Sequence, residues 1–216
     1  MGQPLPRRLL SLRWLVMAFG VLTLVFLFAP GLWRSSYSGV LLLLGVYDVG
    51  AVYLAVFNAV YFFSLASAIF LILLFARSSK PHARVEELAA VYCALQAFVV
   101  QASVSLAFQY STLTWHTPVG GGGFVVVIFL WIALFVATLL LLVAAYGFLV
   151  GHGLIRAVAG HILWFAFAGN IIGVWLSVYF WYDIPMFGNF PGVNLLMALV
   201  SAMAIYYLWK SRTQAG

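Results

Sequence analysis

The chain has 216 residues, of which 66% are hydrophobic and 6% charged. A soluble domain carries about 25% charged residues, so this sequence cannot cover itself with a polar surface, and a water-soluble globule is excluded. A single cysteine, Cys93, excludes an intrachain disulfide and a thiolate cluster for zinc or iron–sulfur, while the formal charge of +6 matters through its placement rather than its sum.

The length suits one helical bundle rather than two domains. A membrane span needs about 20 mostly apolar residues to cross a hydrocarbon core of about 30 Å. The first candidate runs from about Trp14 to Trp33, preceded by Arg7, Arg8 and Arg13 and broken by Pro30-Gly31. Its basic start and apolar middle resemble a signal peptide. The apolar run is long for that and Phe-Ala-Pro-Gly-Leu-Trp is a poor cleavage site, so it reads as a span. The next apolar run, Val40 to Ala76, would be about 55 Å long as one helix. It divides near Asp48 and Gly50 into a short interfacial or re-entrant segment, 40–47, and a second span over about 52–76. The alternative is two full spans meeting around Phe57-Asn58.

Spans three to six follow at about 87–109, 124–150, 154–182 and 193–209. The stretches RSSKPHAR, STLTWHTPVGGGG and YDIPMFGNFPG separate most of them, with Pro and Gly as breakers. Six spans put Arg7, Arg8, Arg13, Arg77, Lys80, Arg84, Arg156, Lys210 and Arg212 on one side and leave Arg34 on the other. That asymmetry predicts that both termini are cytoplasmic, and two spans within Val40 to Ala76 would scatter it. The expected fold is all-α: a multi-pass bundle of six transmembrane helices in the cell membrane.

The chemistry that such a bundle could carry is limited. Bis-histidine haem b needs two histidines at similar depth on facing helices. His161 lies inside span five, His152 in the turn before it, His82 in a cytoplasmic loop and His116 on the opposite face. Nine residues separate His152 from His161, which puts them on opposite faces of a continuous helix. A fold-back at Gly151 and Gly153 stays open, and His161 is the candidate cofactor ligand. The simpler reading is an interfacial histidine bonded to a neighbouring helix or headgroup.

Deeper in the same span, Gly169, Asn170 and Gly173 form the GxxxG run GNIIG, extended by Ser177. Such a face predicts close helix packing with Asn170 hydrogen-bonding across the contact; a place in an ion path is the alternative. Span three carries Gln96, Gln101, Ser103, Ser105 and Gln109, of which Gln101, Ser105 and Gln109 form a stripe at i, i+4, i+8. The stripe could line a water-filled cavity or bond to neighbouring helices. Glu86 and Glu87 open this span, where negative charge suits a helix N-terminus. No acidic residue falls at the bilayer centre, which weighs against a proton pump or cation-driven carrier.

On the outer side, Asp48, His116 and Asp183 could form a shallow ligand site among Trp33, Tyr37, Tyr47, Trp115, Trp181 and Tyr182. An aromatic belt with a few anchoring charges explains the same residues, and metal-ligand spacing is lacking. Gly120 to Gly123 is no phosphate loop, since no GxxxxGK[ST] follows. It gives a flexible entry to span four. The basic residues flank spans, where they set topology and attract anionic lipid, so no nucleic-acid partner is expected.

The run IIGVWLSVYFWYD, 171–183, resembles the close of the last helix of haem–copper oxidase subunit III. That resemblance implies a helical, cofactor-free companion subunit that binds lipid beside a catalytic chain. The chain departs from the family: its membrane glutamate and paired histidine signatures are missing, and a sixth span follows. No residue role carries over. The six-span plan is also similar to substrate-binding subunits of vitamin importers, without their small-residue motif in span one.

Three functions are therefore expected in order. The first is a non-catalytic integral subunit of a larger respiratory, terminal-oxidase-type complex, with other membrane subunits and lipids as partners and no cofactor of its own. The second is a small-molecule transporter or its membrane substrate-binding subunit. The third is a haem b quinol-linked cytochrome.

Overall fold

The computed structural model describes residues 12–27, 49–77, 82–114, 121–150, 153–179 and 191–213. Six helices occupy them: α1 (Leu12–Leu27), α2 (Val49–Ala76), α3 (His82–Thr114), α4 (Gly121–Val150), α5 (Gly153–Tyr179) and α6 (Pro191–Thr213). The described residues are helical throughout, with a turn at Arg77. In hydrocarbon every backbone group must bond within its own segment, and the apolar runs between the Pro and Gly breakers do so as helices. Five of them, α2 to α6, are long and apolar enough to cross a membrane. The chain is an all-α polytopic membrane protein.

The segment 40–47 lies outside the described residues. Beyond it, α2 runs without interruption through Phe57-Asn58, so two spans do not meet there. Several helices begin earlier than sequence alone suggests. α3 starts at His82 rather than near Glu87, directly after Pro81, a residue suited to the flank of a helix start. His82 is thus the first residue of a helix, not part of a loop. Gly121 to Gly123 belong to the first turn of α4 instead of a flexible entry. The penalty of about 1 kcal/mol per helical glycine is smaller than that of an unpaired backbone group in lipid.

Contacts between helices give their directions. Glu86 near the start of α3 pairs with Arg156 near the start of α5, and Gln96 further along α3 meets Asn170 further along α5; these two helices are parallel. Gly192 of α6 lies by the Tyr61 hydroxyl of α2, and Phe75 at the end of α2 stacks on Tyr207 at 6.1 Å, so α2 and α6 are parallel too. α1 runs with α3: Phe19 and Phe26 both meet Phe98, and Phe26 also reaches Ser105. Gly147 against Ile155, and Gly173 against Asn194, make α4–α5 and α5–α6 antiparallel hairpins. Odd helices point one way and even helices the other, the alternation that successive membrane crossings require.

The core is built around α3. Of the 18-residue apolar window within Val85–Leu106, 89% is buried, against 22% to 39% for the corresponding windows of the four other long helices. Small residues make that possible, since Ala89, Ala90, Cys93, Ala94, Ala97 and Ala102 are all fully covered and let neighbours approach from every side. Phe19, Phe63 and Phe98 close one flank with ring centroids 5.9 to 6.3 Å apart. The geometry favours tilted and edge-on ring pairs.

Candidate functional site

Two buried amides of the core form a bridge between α3 and α5. Gln96 donates from Nε2 to Asn170 Oδ1 at 3.2 Å, and Asn170 Nδ2 donates back to Gln96 Oε1 at 3.2 Å. The two amides therefore face each other head to tail. Asn170 Nδ2 also donates to its own Ala166 carbonyl at 2.8 Å and lies 3.3 Å from the Tyr92 hydroxyl. Tyr92 is further paired with the Ser201 hydroxyl of α6, which itself donates to the Ala198 carbonyl at 2.8 Å. Three helices are thus joined by a fully covered polar cluster. Each group in it has a partner, as burial demands.

Other polar side chains are held locally or bind neighbouring backbone. The Thr23, Ser103 and Thr138 hydroxyls donate to the carbonyls four residues earlier, Phe19, Val99 and Leu134. Ser105 donates to the Phe26 carbonyl at 2.6 Å, satisfying one of the last carbonyls of α1 and tying α1 to α3. Of the predicted stripe, Gln101 is buried and Ser105 makes this bond; the Gln109 side chain lies outside the described residues. Ser64, on the inward stripe of α2, has a covered hydroxyl that bonds nothing among the described residues.

The expected GxxxG face divides. Gly173 packs against α6: a Cβ there would lie 2.9 Å from Asn194 Nδ2. Gly169 is exposed, with nothing within 4 Å of such a Cβ, so it packs against no described residue. Asn170 points inward between them. The reason is angular, because the inward sector of α5 includes 170 and 173 while 169 falls on its outer edge. The side chain of Ser177 lies outside the described residues.

The starts of α3 and α5 carry an ion pair that sequence reasoning missed. Glu86 does not simply complement a helix start; its carboxylate pairs with the Arg156 guanidinium across to α5. Both residues are only partly exposed. Their shared place at the starts of two spans was the available signal.

His161 faces away from the bundle. Its Nδ1 lies 2.9 Å from the Ala157 carbonyl, which can only accept, so Nδ1 carries the proton. In the neutral ring Nε2 is then an acceptor, and among the described residues nothing else bonds to it. Trp164, Phe165, Ala168, Gly169 and Trp175 share this outward surface. Asp48, His116 and Asp183 lie outside the described residues, as does His152. Among the described residues no three of His, Cys, Asp and Glu come together to hold a metal ion.

No known protein family, curated protein or solved structure matches the chain. Its function rests on these residues.

Proposed function

We propose that the chain is a non-catalytic integral subunit of a larger membrane complex, of respiratory, terminal-oxidase type, in the plasma membrane. The observation that carries this reading is the division of its polar chemistry. The central groups, Tyr92, Gln96, Asn170 and Ser201, are engaged in bonding helix to helix. The outward face of α5, by contrast, presents an imidazole acceptor among tryptophans and an open glycine. A core locked by reciprocal amide bonds suits a scaffold better than a moving transport path, and an apolar outward face that carries one imidazole suits lateral assembly. The respiratory assignment draws on the resemblance of 171–183 to oxidase subunit III. Lipid fits the largely apolar outward faces of α2 and α4, where Phe62, Phe70, Phe129 and Leu139 are exposed.

The test is isolation of the chain from its native membranes in a mild detergent. The expected result is a stable set of co-purifying membrane polypeptides with a haem absorption spectrum contributed by the other chains. A colourless, folded monomer without partners would overturn the reading.

A further inference from the structure

We propose that the outward groove between the ends of α2 and α6 holds one anionic phospholipid, its phosphate between Arg77 and Lys210 and its acyl chains along the apolar stripes that these two residues cap. The site belongs to this chain alone and stands or falls separately from the subunit reading.

Charge gathers at one end of the bundle. Among the described residues every Arg, Lys, Asp and Glu stands where α1, α3 and α5 start and where α2, α4 and α6 finish. Both acidic residues in that set, Glu86 and Glu87, open α3, and Glu86 is taken by Arg156. Arg77 and Lys210, both exposed, stand instead at the ends of α2 and α6. A helix end of unpaired carbonyls repels an anion, and here each such end carries a cation that reverses the sign.

The two cations are neighbours. Phe75 of α2 stacks on Tyr207 of α6. Arg77 comes two residues after the first and Lys210 three after the second, which puts them within about one helical turn of the same level.

Each cation also caps an apolar stripe. The Arg77 N–H donates to the Leu73 carbonyl at 3.1 Å, so the helical turn continues and Arg77 follows exposed Ile69 and Leu73 at i, i+4, i+8. On α6, Lys210 follows exposed Tyr206 at the same spacing, and exposed Leu199 lies two turns before Tyr206. Tyr61, Leu65 and Phe75 mark the sector of α2 that meets α6. Ile69 and Leu73 follow that sector on its outer side, away from buried Ser64, Ala68 and Leu71. The stripes therefore flank one groove. From exposed Phe62 to Arg77, as from exposed Leu195 to Lys210, it runs about 22 Å, against about 15 Å for half of a hydrocarbon core.

A ligand that answers both parts has an anionic head and long apolar tails, which describes a phospholipid rather than an acidic peptide. The Arg77 guanidinium suits phosphate geometry, and Tyr206 suits the headgroup level. A second copy turned about the membrane normal would set Arg77 and Lys210 against their own like charges.

The test uses the full chain, with any polypeptides that co-purify, stripped of lipid in a mild neutral detergent. Native mass spectrometry then follows titration with phosphatidylglycerol or phosphatidylcholine. One phosphatidylglycerol per chain is expected to bind about tenfold more tightly than phosphatidylcholine. Arg77→Gln combined with Lys210→Gln is expected to abolish that preference and to leave the lipid-free melting temperature unchanged, because both side chains are exposed. Arg77→Lys combined with Lys210→Arg is expected to keep it. Arg13→Gln removes an exposed cation at the same end of the bundle and is expected to change the preference by no more than about twofold. A phosphatidylglycerol with a diazirine in its acyl chains is expected to label 62–73 and 195–206. Equal binding of the two lipids, an equal loss in Arg13→Gln, labels confined to α4 or α5, or a second polypeptide or second copy at these residues in place of lipid would each overturn the proposal. If the lipid binds and no polypeptide co-purifies, the subunit reading fails and this site stands.

Discussion

α3 and α5 show how little hydropathy says about position. Their apolar stretches are equal in length, 22 residues each, and in mean hydropathy, yet 89% of an 18-residue window in one and 22% in the other is buried. The difference lies in how small and polar residues are distributed around the axis. α3 carries alanine and cysteine on all sides and puts Tyr92 and Gln96 at depths where other helices answer them. α5 concentrates its answering groups, Asn170 and Gly173, in one narrow sector and leaves Trp164, Phe165 and His161 outside. A span becomes central when every sector tolerates a neighbour. It becomes peripheral when only one does.

The largest effect on this comparison is expected from breaking the shared bridge. Asn170→Ala strands the Gln96 amide and loosens Tyr92, and thermal unfolding in detergent should report a loss of about 1–3 kcal/mol. Adding Gln96→Leu should recover part of that loss, because the stranded amide is then gone; a double variant as weak as the sum of both would count against the reciprocal pairing. Gly173→Val comes next. Its side chain must displace Asn194, which should lower stability by about 1–2 kcal/mol, visible as a lower melting temperature.

Glu86→Gln removes the partner of Arg156. Both side chains are partly exposed, so a loss of about 0.5–1 kcal/mol is expected, and it should shrink as salt is raised. The smallest effect belongs to Gly169→Val in the isolated chain. With open space around it, the change should stay within about 0.5 kcal/mol of the parent. A large loss there would show that α5 is packed on both sides.

Much of the fold was legible in the sequence, because length, hydropathy and the basic residues constrain a membrane bundle strongly. The run of later spans follows from the Pro- and Gly-bearing stretches between the apolar runs, while of the expected break near Asp48 and Gly50 the former lies outside the described residues and Gly50 belongs to α2. Helix starts were less legible, since His82 and Gly121 are helical for reasons of backbone pairing that composition does not express. Asn170 could be marked as a packing residue, but its partner could not, because several amides of α3 lie at plausible depths and only the rotation of the helix selects Gln96. The same rotation separates Gly169 from Gly173 within a single motif. Centrality of α3 was invisible for a related reason: its two glutamates and several amides make it one of the less hydrophobic helices, which in water would place it at the surface.

The links between α3 and α5 have a mechanical consequence. The Glu86–Arg156 pair near one end and the Gln96–Asn170 pair further along are two pins between parallel rods. One pin would allow α5 to swivel about its own axis, and two at different heights oppose both swivelling and sliding. A push on the outer side of α5 is therefore carried to α3, and through Ser105 to the end of α1, as displacement of a braced frame.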